Sequence, residues 1–165
     1  MQPLITRNDI AKYRQITKSP NDAKLNEMIL DAQILDLQPL IGETLYNKLQ
    51  ASPENYQDLL DGNIYEADGI SYTNHGLKMV IVYFAYARHI MFSSVTDTAY
   101  SVVEKLNDNS RPVDLSSKKT IYSLNREAAF QIWENVQHYL IRTKHPDFMH
   151  SKKTSAKGLR FKKIV

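Results

Sequence analysis

Histidine, carboxylate, serine and lysine side chains carry whatever chemistry is open to a chain without cysteine, and their spacing decides what they can do. The five histidines are His75, His89, His138, His145 and His150. None forms an H-x-x-x-H pair or has a zincin-type glutamate beside it, so the sequence holds no helical metal site of that kind. His138 and His145 lie seven apart and could share one helix face, but two solvated histidines near a helix end are the simpler reading. Asp58 with Asp61, and Glu66 with Asp68, are paired carboxylates at surface-like helix ends and turns, where solvation is expected rather than acid–base work.

No G-x-S-x-G elbow, Walker-type loop or G-x-G-x-x-G turn occurs, and the five glycines do not cluster to cradle a phosphate. Without cysteine, disulfides, thiolate metal sites and thiol nucleophiles are excluded. The sequence therefore predicts no enzyme, no cofactor and no bound metal. Its unusual residues are aromatic and basic, which points to binding of other macromolecules. Ten tyrosines occur in the chain. Tyrosine suits an interface because it buries apolar area and keeps a polar handle, although the same rings can line a core with hydroxyls at the surface. Tyr83, Tyr86, Tyr100, Val102, Val103 and Arg111 are the candidate subunit contacts.

The charge is uneven. Lys152, Lys153, Lys157, Arg160, Lys162 and Lys163 fall in the last fifteen residues without an acid among them. Removing those six from the net +3 leaves residues 1–150 at −3. A mildly acidic body thus carries a strongly basic tail, and basic tails meet phosphate or acidic protein surfaces. Leu159, Phe161, Ile164 and Val165 interleave with the cations, which solubility alone does not require. Lys152, Lys153, Lys157, Leu159, Arg160, Phe161, Lys162, Lys163 and Ile164 are the candidate partner-binding residues. The expected organisation is one domain over 1–149 with the basic tail at 150–165.

These residues need a scaffold, and 165 residues suffice for one self-supporting core. Thr6 and Asp9 make a capping-box-like start for a short helix over Arg7–Tyr13. Ser19-Pro20-Asn21-Asp22 starts a second helix, with Leu25, Met28, Ile29, Ala32 and Leu35 as its apolar stripe, until Pro39 and Gly42 interrupt it. Glu43–Gln50 is a further short helix with Leu45, Tyr46 and Leu49 inward. Ser52-Pro53 repeats the start signal, and Gly62 stops the turn that holds Leu59 and Leu60. Ile64–Tyr72 around Asp68-Gly69 reads as a small β-hairpin.

Leu77–Ser94 is the central helix, apolar on so many sides that it must lie inside a bundle or at a subunit contact. Leu77, Val80, Ile81, Phe84 and Met91 share one face; Met79, Val82, Tyr83, Tyr86 and Ile90 cover much of the rest. Arg88 and His89 interrupt this apolar run, which is too short to cross a bilayer, and no secretory signal is expected near the start of the chain. Thr96–Leu115 loses helical period. Tyr100–Val103 could be extended, and Asn107-Asp108-Asn109-Ser110 with Pro112 reads as loop. Ser116–Arg142 is a long amphipathic helix with Ile121, Leu124, Ala128, Ile132, Val136 and Tyr139 as its stripe and Trp133 and Leu140 alongside. Arg142, Lys144 and His145 suit its C-terminal end, and Pro146 stops it. The expected fold class is mainly α: a helical bundle with a long central and a long C-terminal helix, a small β-hairpin and an extended loop.

The order of these segments resembles the head–tail connector (adaptor, or head-completion) proteins of tailed bacteriophages. Asn21-Asp22-Ala23-Lys24-Leu25 leading into Leu40-Ile41-Gly42-Glu43-Thr44-Leu45-Tyr46 looks like their first helices. Gly76-Leu77-Lys78 and Tyr83-Phe84-Ala85-Tyr86-Ala87-Arg88 are similar to connector-like proteins of Bacteroidetes phages and prophages, crAss-like phages included. There a variable segment like Asp97–Val113 precedes a last helix with a tryptophan like Trp133. The resemblance covers about Thr6 to Tyr139 and carries no catalytic residue. It implies a virion protein at the head–tail junction, made in the host bacterial cytoplasm and assembled as a homo-oligomeric ring of about twelve copies under the portal protein. Such a ring extends the DNA channel, which DNA crosses without sequence-specific binding, and docks further neck or tail proteins; no membrane is involved. The implied role of the tail is to grip the portal. The alternative is a small nucleic-acid-binding protein that uses the same basic tail on phosphates.

Overall fold

The computed structural model describes residues 1–18, 22–104 and 113–148. A capping box opens α1 (Arg7–Ala11): the Thr6 backbone N–H and hydroxyl both donate to Asp9 Oδ2 at 2.9 Å. This matches the expected start, and the helix ends two residues before Tyr13. The Ser19-Pro20-Asn21 signal lies outside the described residues, and α2 (Ala23–Asp31) begins directly after Asp22.

Beyond Asp31 the helix neither stops nor continues as α. Ala32–Leu37 is wound as π-helix and runs into α3 (Gln38–Ile41), with Pro39 in its first turn. Pro39 was expected to interrupt the helix, and the structure corrects this. A wide π turn gives the proline ring room at the carbonyl one turn back, where a regular α turn would clash. The widening also re-phases the stripe: Leu25, Ile29, Gln33, Leu37 and Ile41 recur every fourth residue and are all buried. Leu35, expected on the stripe, is instead 58% exposed.

The chain then turns at Gly42 into α4 (Glu43–Ala51), which buries Leu45, Tyr46 and Leu49 as expected. A 3-10 turn (Pro53–Tyr56) and α5 (Gln57–Asp61) follow. Strands β1 (Asn63–Ala67) and β2 (Ile70–Asn74) form an antiparallel hairpin with Ala67 opposite Ile70. Asp68 (φ 52°) and Gly69 (φ 74°) both take the left-handed conformation that a two-residue hairpin turn needs.

The central helix α6 (Leu77–Phe92) buries Leu77, Val80, Ile81, Val82, Phe84, Ala85 and Ala87. Its neighbours are α7 (Leu115–Arg142), α2, the π segment, α5 and α1. Of the two readings open to so apolar a helix, the bundle interior is the one realised. Within the Thr96–Leu115 excursion, β3 (Val95–Asp97) and β4 (Val102–Glu104) pair as a second antiparallel hairpin, Thr96 opposite Val103. The Asn107–Ser110 loop and Pro112 lie outside the described residues.

Helix α7 starts with an Asp114 cap, whose Oδ1 accepts from the Ser117 backbone N–H at 3.0 Å. It buries Lys118, Asn125, Ala129, Trp133, Val136 and Leu140. Leu124, expected on the stripe, is 59% exposed, so the buried face is rotated by one position from the apolar pattern. The reason is polar: Lys118 Nζ reaches Ser94 Oγ (2.6 Å), and Asn125 Oδ1 accepts from Arg14 Nε (2.9 Å). With hydrogen-bonded polar residues at buried positions, the stripe is hidden from a hydrophobicity pattern. The helix ends in a Schellman motif: Lys144 (φ 50°) donates to the Ile141 carbonyl and His145 to that of Leu140.

The fold is thus mainly α-helical, a bundle with a long central helix and a long C-terminal helix, a small β-hairpin and extended loops.

Candidate interaction surfaces

A buried ionic clamp ties three helical segments of the body together. Asp36, in the π segment, accepts from Arg88 Nε of α6 at 2.8 Å and from Arg126 Nη1 of α7 at 2.6 Å. Its side chain is 4% exposed. Arg126 also lies over the Phe84 ring, 5.1 Å from its centroid. One carboxylate thereby fixes three helices at once. Gln33 on the same π turn accepts from the Leu4 backbone N–H at 2.6 Å, tying the first residues to the bundle. A π turn flanked by prolyl helix is what brings both polar side chains inward, and no sequence motif advertises it.

The first hairpin is built into the body. Its neck is the close approach of Gly62 and Gly76, where a Cβ on Gly76 would lie 2.6 Å from both Gly62 N and Leu60 O. Both glycines have φ above +80° with ψ near 150°, a region only glycine occupies readily. Buried Asn74 donates to the Asp58 carbonyl (2.8 Å) and accepts from the Gly76 N–H (3.1 Å). From α7, the Asn135 amide pairs with the edge of β2, donating to the Thr73 carbonyl and accepting from His75 N–H, each at 2.9 Å. Tyr65 and Tyr72 stack on the inner face, Tyr139 meets Tyr65 edge-on at 4.9 Å, and Arg142 lies 3.9 Å over Tyr72. The outer face carries Ile64, 74% exposed, and Ile70 at the tip is 55% exposed.

The second hairpin is tied to the body at its root, where Lys118 of α7 donates to Ser94 Oγ. Thr98 closes its turn, with its N–H donating to the Ser101 carbonyl at 3.1 Å and its hydroxyl to the same oxygen at 2.6 Å. Lys24 of α2 braces its root by donating to the carbonyls of Ser93 and Val95. Tyr100 at the tip is 99% exposed and Val103 is 43% exposed. Phe92, Val113 and Leu115, on the segments that lead into and out of this excursion, are exposed as well.

The candidate contact residues therefore separate. Tyr83 and Tyr86 are half-buried on α6, with the Arg14 guanidinium 4.2 Å over the Tyr83 ring and 6.0 Å from that of Tyr86. The cation occupies one face of Tyr83, so α6 spends most of its apolar surface inside the chain. Tyr100 and Val103 come together on the second hairpin. Val102 lies in β4, but its side chain, like Arg111 and the whole tail from Lys152 to Ile164, lies outside the described residues.

His138 and His145 do not share a helix face. His138 is exposed on α7, whereas His145 lies beyond its end, half-buried, with Nδ1 accepting from the Asp147 N–H at 3.3 Å. Burial, reinforced by the Lys48 charge, holds His145 below the ordinary histidine range, while Asp147 opposes the shift. Asp147 is held below the usual carboxylate range by its 2.5 Å bond from Lys48. His89 is likewise lowered, first by burial and then by Arg7 and Lys24. A polar cleft of about 300 Å³ lies beside His145, bounded by Glu54, Tyr56, Asp58 and Tyr139. The expected carboxylate pairs, Asp58 with Asp61 and Glu66 with Asp68, are all exposed. Among the described residues no group of three or more potential metal ligands occurs, and no helix is long and apolar enough to cross a membrane.

The chain belongs to a family of unknown function, DUF6712, whose model matches residues 37–158 and so takes in both hairpins, α6 and α7. No curated protein and no solved structure matches the chain.

Proposed function

We propose that this protein is a structural, non-catalytic head–tail connector of a tailed bacteriophage. Copies join side by side as a ring of about twelve under the portal, through one heterologous contact repeated around the circle. The ring extends the DNA channel without sequence-specific contact to the DNA and docks the next neck or tail protein. In this reading the side-to-side contact uses the second hairpin, with Tyr100 and Val103 reaching a neighbour. The central helix adds only the exposed edges of Tyr83 and Tyr86. Lys152, Lys153, Lys157, Arg160, Lys162 and Lys163 pair with acidic portal residues while Leu159, Phe161 and Ile164 fill pockets.

The observation that carries this reading is a fully exposed tyrosine on a projecting hairpin, in a chain whose segment order resembles connectors. A tyrosine 99% exposed at a hairpin tip contributes nothing to its own fold and is ready-made for a partner. The test is whether the protein occurs in purified virions at a copy number close to that of the portal. Stoichiometric presence is the expected result; a protein left free in the lysate and absent from particles overturns it.

The basic tail favours a second reading, a nucleic-acid-binding protein. Six cations on duplex phosphates would give a log–log salt slope of about −0.9 per phosphate neutralised. Against it, Arg126 and Arg142 of α7 are engaged with Asp36 and Tyr72 rather than arrayed as a stripe for a groove.

A further inference from the structure

We propose that residues 149–165 dock on the outer face of the β1–β2 hairpin of their own chain. Between Lys48 and Lys78 the sequence has no lysine or arginine but carries Glu54, Asp58, Asp61, Glu66 and Asp68. All five are exposed. Asp61 pairs with Lys78 at 2.6 Å, whereas none of the other four is ion-paired with a described residue. This acidic lobe is the counterpart of a tail with six cations and no acid.

Apolar surface matches as well as charge. The register places Ile64 with Thr73 and Glu66 with Ser71 on one face, opposite the Tyr65 and Tyr72 rings that pack toward α7. Ile64 on that outer face is among the most exposed large apolar side chains of the described residues, whereas Ile70, paired with Ala67, falls on the tyrosine face at the tip. Leu159 and Phe161 are spaced by two with Arg160 between them, so an extended segment would present both to one side. Arg142 of α7 lies over the inner face on Tyr72 and feels the charge of Asp68 at the turn, while Glu66 on the outer face has no ion-pair partner among the described residues.

The point of departure favours the same chain over a second copy. Asp147 is pinned by Lys48 and accepts from the Tyr56 hydroxyl at 3.3 Å, and the Phe148 ring meets Trp133 edge-on. His145 shares its cleft with Glu54 and Asp58. Residues 149–165 therefore start beside the acidic lobe, with a contour length of about 60 Å when extended. A short tether gives an effective concentration of about a millimolar, enough to populate contacts too weak to hold two separate molecules. The hairpin is already fixed by Asn135 and the Gly62–Gly76 neck, so docking orders the tail alone. The contact keeps the cations on the chain's own surface until a more strongly anionic partner displaces them. It holds for a protein or a nucleic-acid partner alike.

Because the full chain has no cysteine, Ser155→Cys creates a unique attachment point for a nitroxide label. In the ¹⁵N-labelled full-length protein, the amides of Ile64, Glu66, Ser71 and Thr73 should broaden at low salt. In Glu66→Lys and in Ile64→Thr the docked population should fall several-fold while exposed Glu27→Lys, on another face, leaves it unchanged. Salt at about 1 M, where the screening length is about 3 Å, should abolish the broadening. A hairpin that stays sharp, or broadening that survives both hairpin variants, overturns the proposal. Broadening of unlabelled-tail protein mixed with ¹⁴N spin-labelled protein means the tail of a second copy is the occupant, and overturns it too.

Discussion

Among the described residues two antiparallel hairpins occur, and they are anchored differently. β1–β2 is gripped on three sides: by a glycine neck, by the buried amide of Asn74 and by Asn135 reaching from α7. β3–β4 closes its own turn through Thr98 and is braced at its root by Lys24 and by Lys118 on Ser94. An isolated two-stranded hairpin is marginal in water, and the body supports the first along its length, while the described ties of the second lie at its root. The first hairpin offers a fixed exposed face that can receive a ligand without rearranging, whereas the second offers an exposed tip at Tyr100.

The largest effect is expected at the Asp36 clamp, which holds the π segment, α6 and α7 together. Asp36→Ala leaves Arg126 without its carboxylate and Arg88 with only the longer Asp31 contact at 4.0 Å, and should destabilise the fold by roughly 3 kcal/mol, read by urea denaturation. Gly76→Ala forces a Cβ into the Leu60 carbonyl at a glycine-only conformation; a loss of roughly 2–3 kcal/mol is expected, with β1–β2 amides exchanging first. Asn135→Ala removes two backbone partners and should cost about 1–2 kcal/mol. Hydrogen exchange should then rise in β2 and remain unchanged in β4; equal effects on both hairpins would erase the distinction. Tyr100→Ser should change stability by no more than about 0.5 kcal/mol, since the ring is exposed. In the connector reading the same change weakens self-association, measured by sedimentation on the portal.

Acid sharpens the picture from another side. Burial holds His89 and His145 below the ordinary histidine value of 6.5, so the unfolded chain binds protons more readily. Stability is therefore full above about pH 6.5 and is lost as pH falls through that value toward the depressed folded ones. His145→Gln and His89→Gln variants should each flatten the decline in thermal stability below that pH; an unchanged acid profile would contradict the assigned direction.

How much of this was legible in sequence varies with the physics of each element. The Thr6–Asp9 box, the α4 face, the Asp68-Gly69 turn and the extents of α6 and α7 follow from local signals, because caps, turn residues and periodicity act within a few residues. Leu35 and Leu124 were misplaced for a shared reason. In both helices polar residues, Gln33 and Asp36 in one and Lys118 and Asn125 in the other, take buried positions that an apolar pattern assigns to solvent. The Asp36 clamp was invisible because its partners are 52 and 90 residues away. Tyr100, Tyr83 and Tyr86 are equivalent candidates in sequence, and only the hairpin geometry separates Tyr100 from the two that Arg14 engages from within the chain.

The sequence alone determined the helical class, the helix boundaries to within a few residues, the first hairpin's turn and the division between acidic body and basic tail. These depend on local backbone preference and on charge count, which need no folded context. Tertiary structure decided the winding of Ala32–Leu37, the rotation of α7, the burial of Asp36 between two arginines and the unequal anchoring of the hairpins. Those outcomes depend on which polar group finds a partner across the bundle, and a buried polar residue is tolerated only where that partner exists.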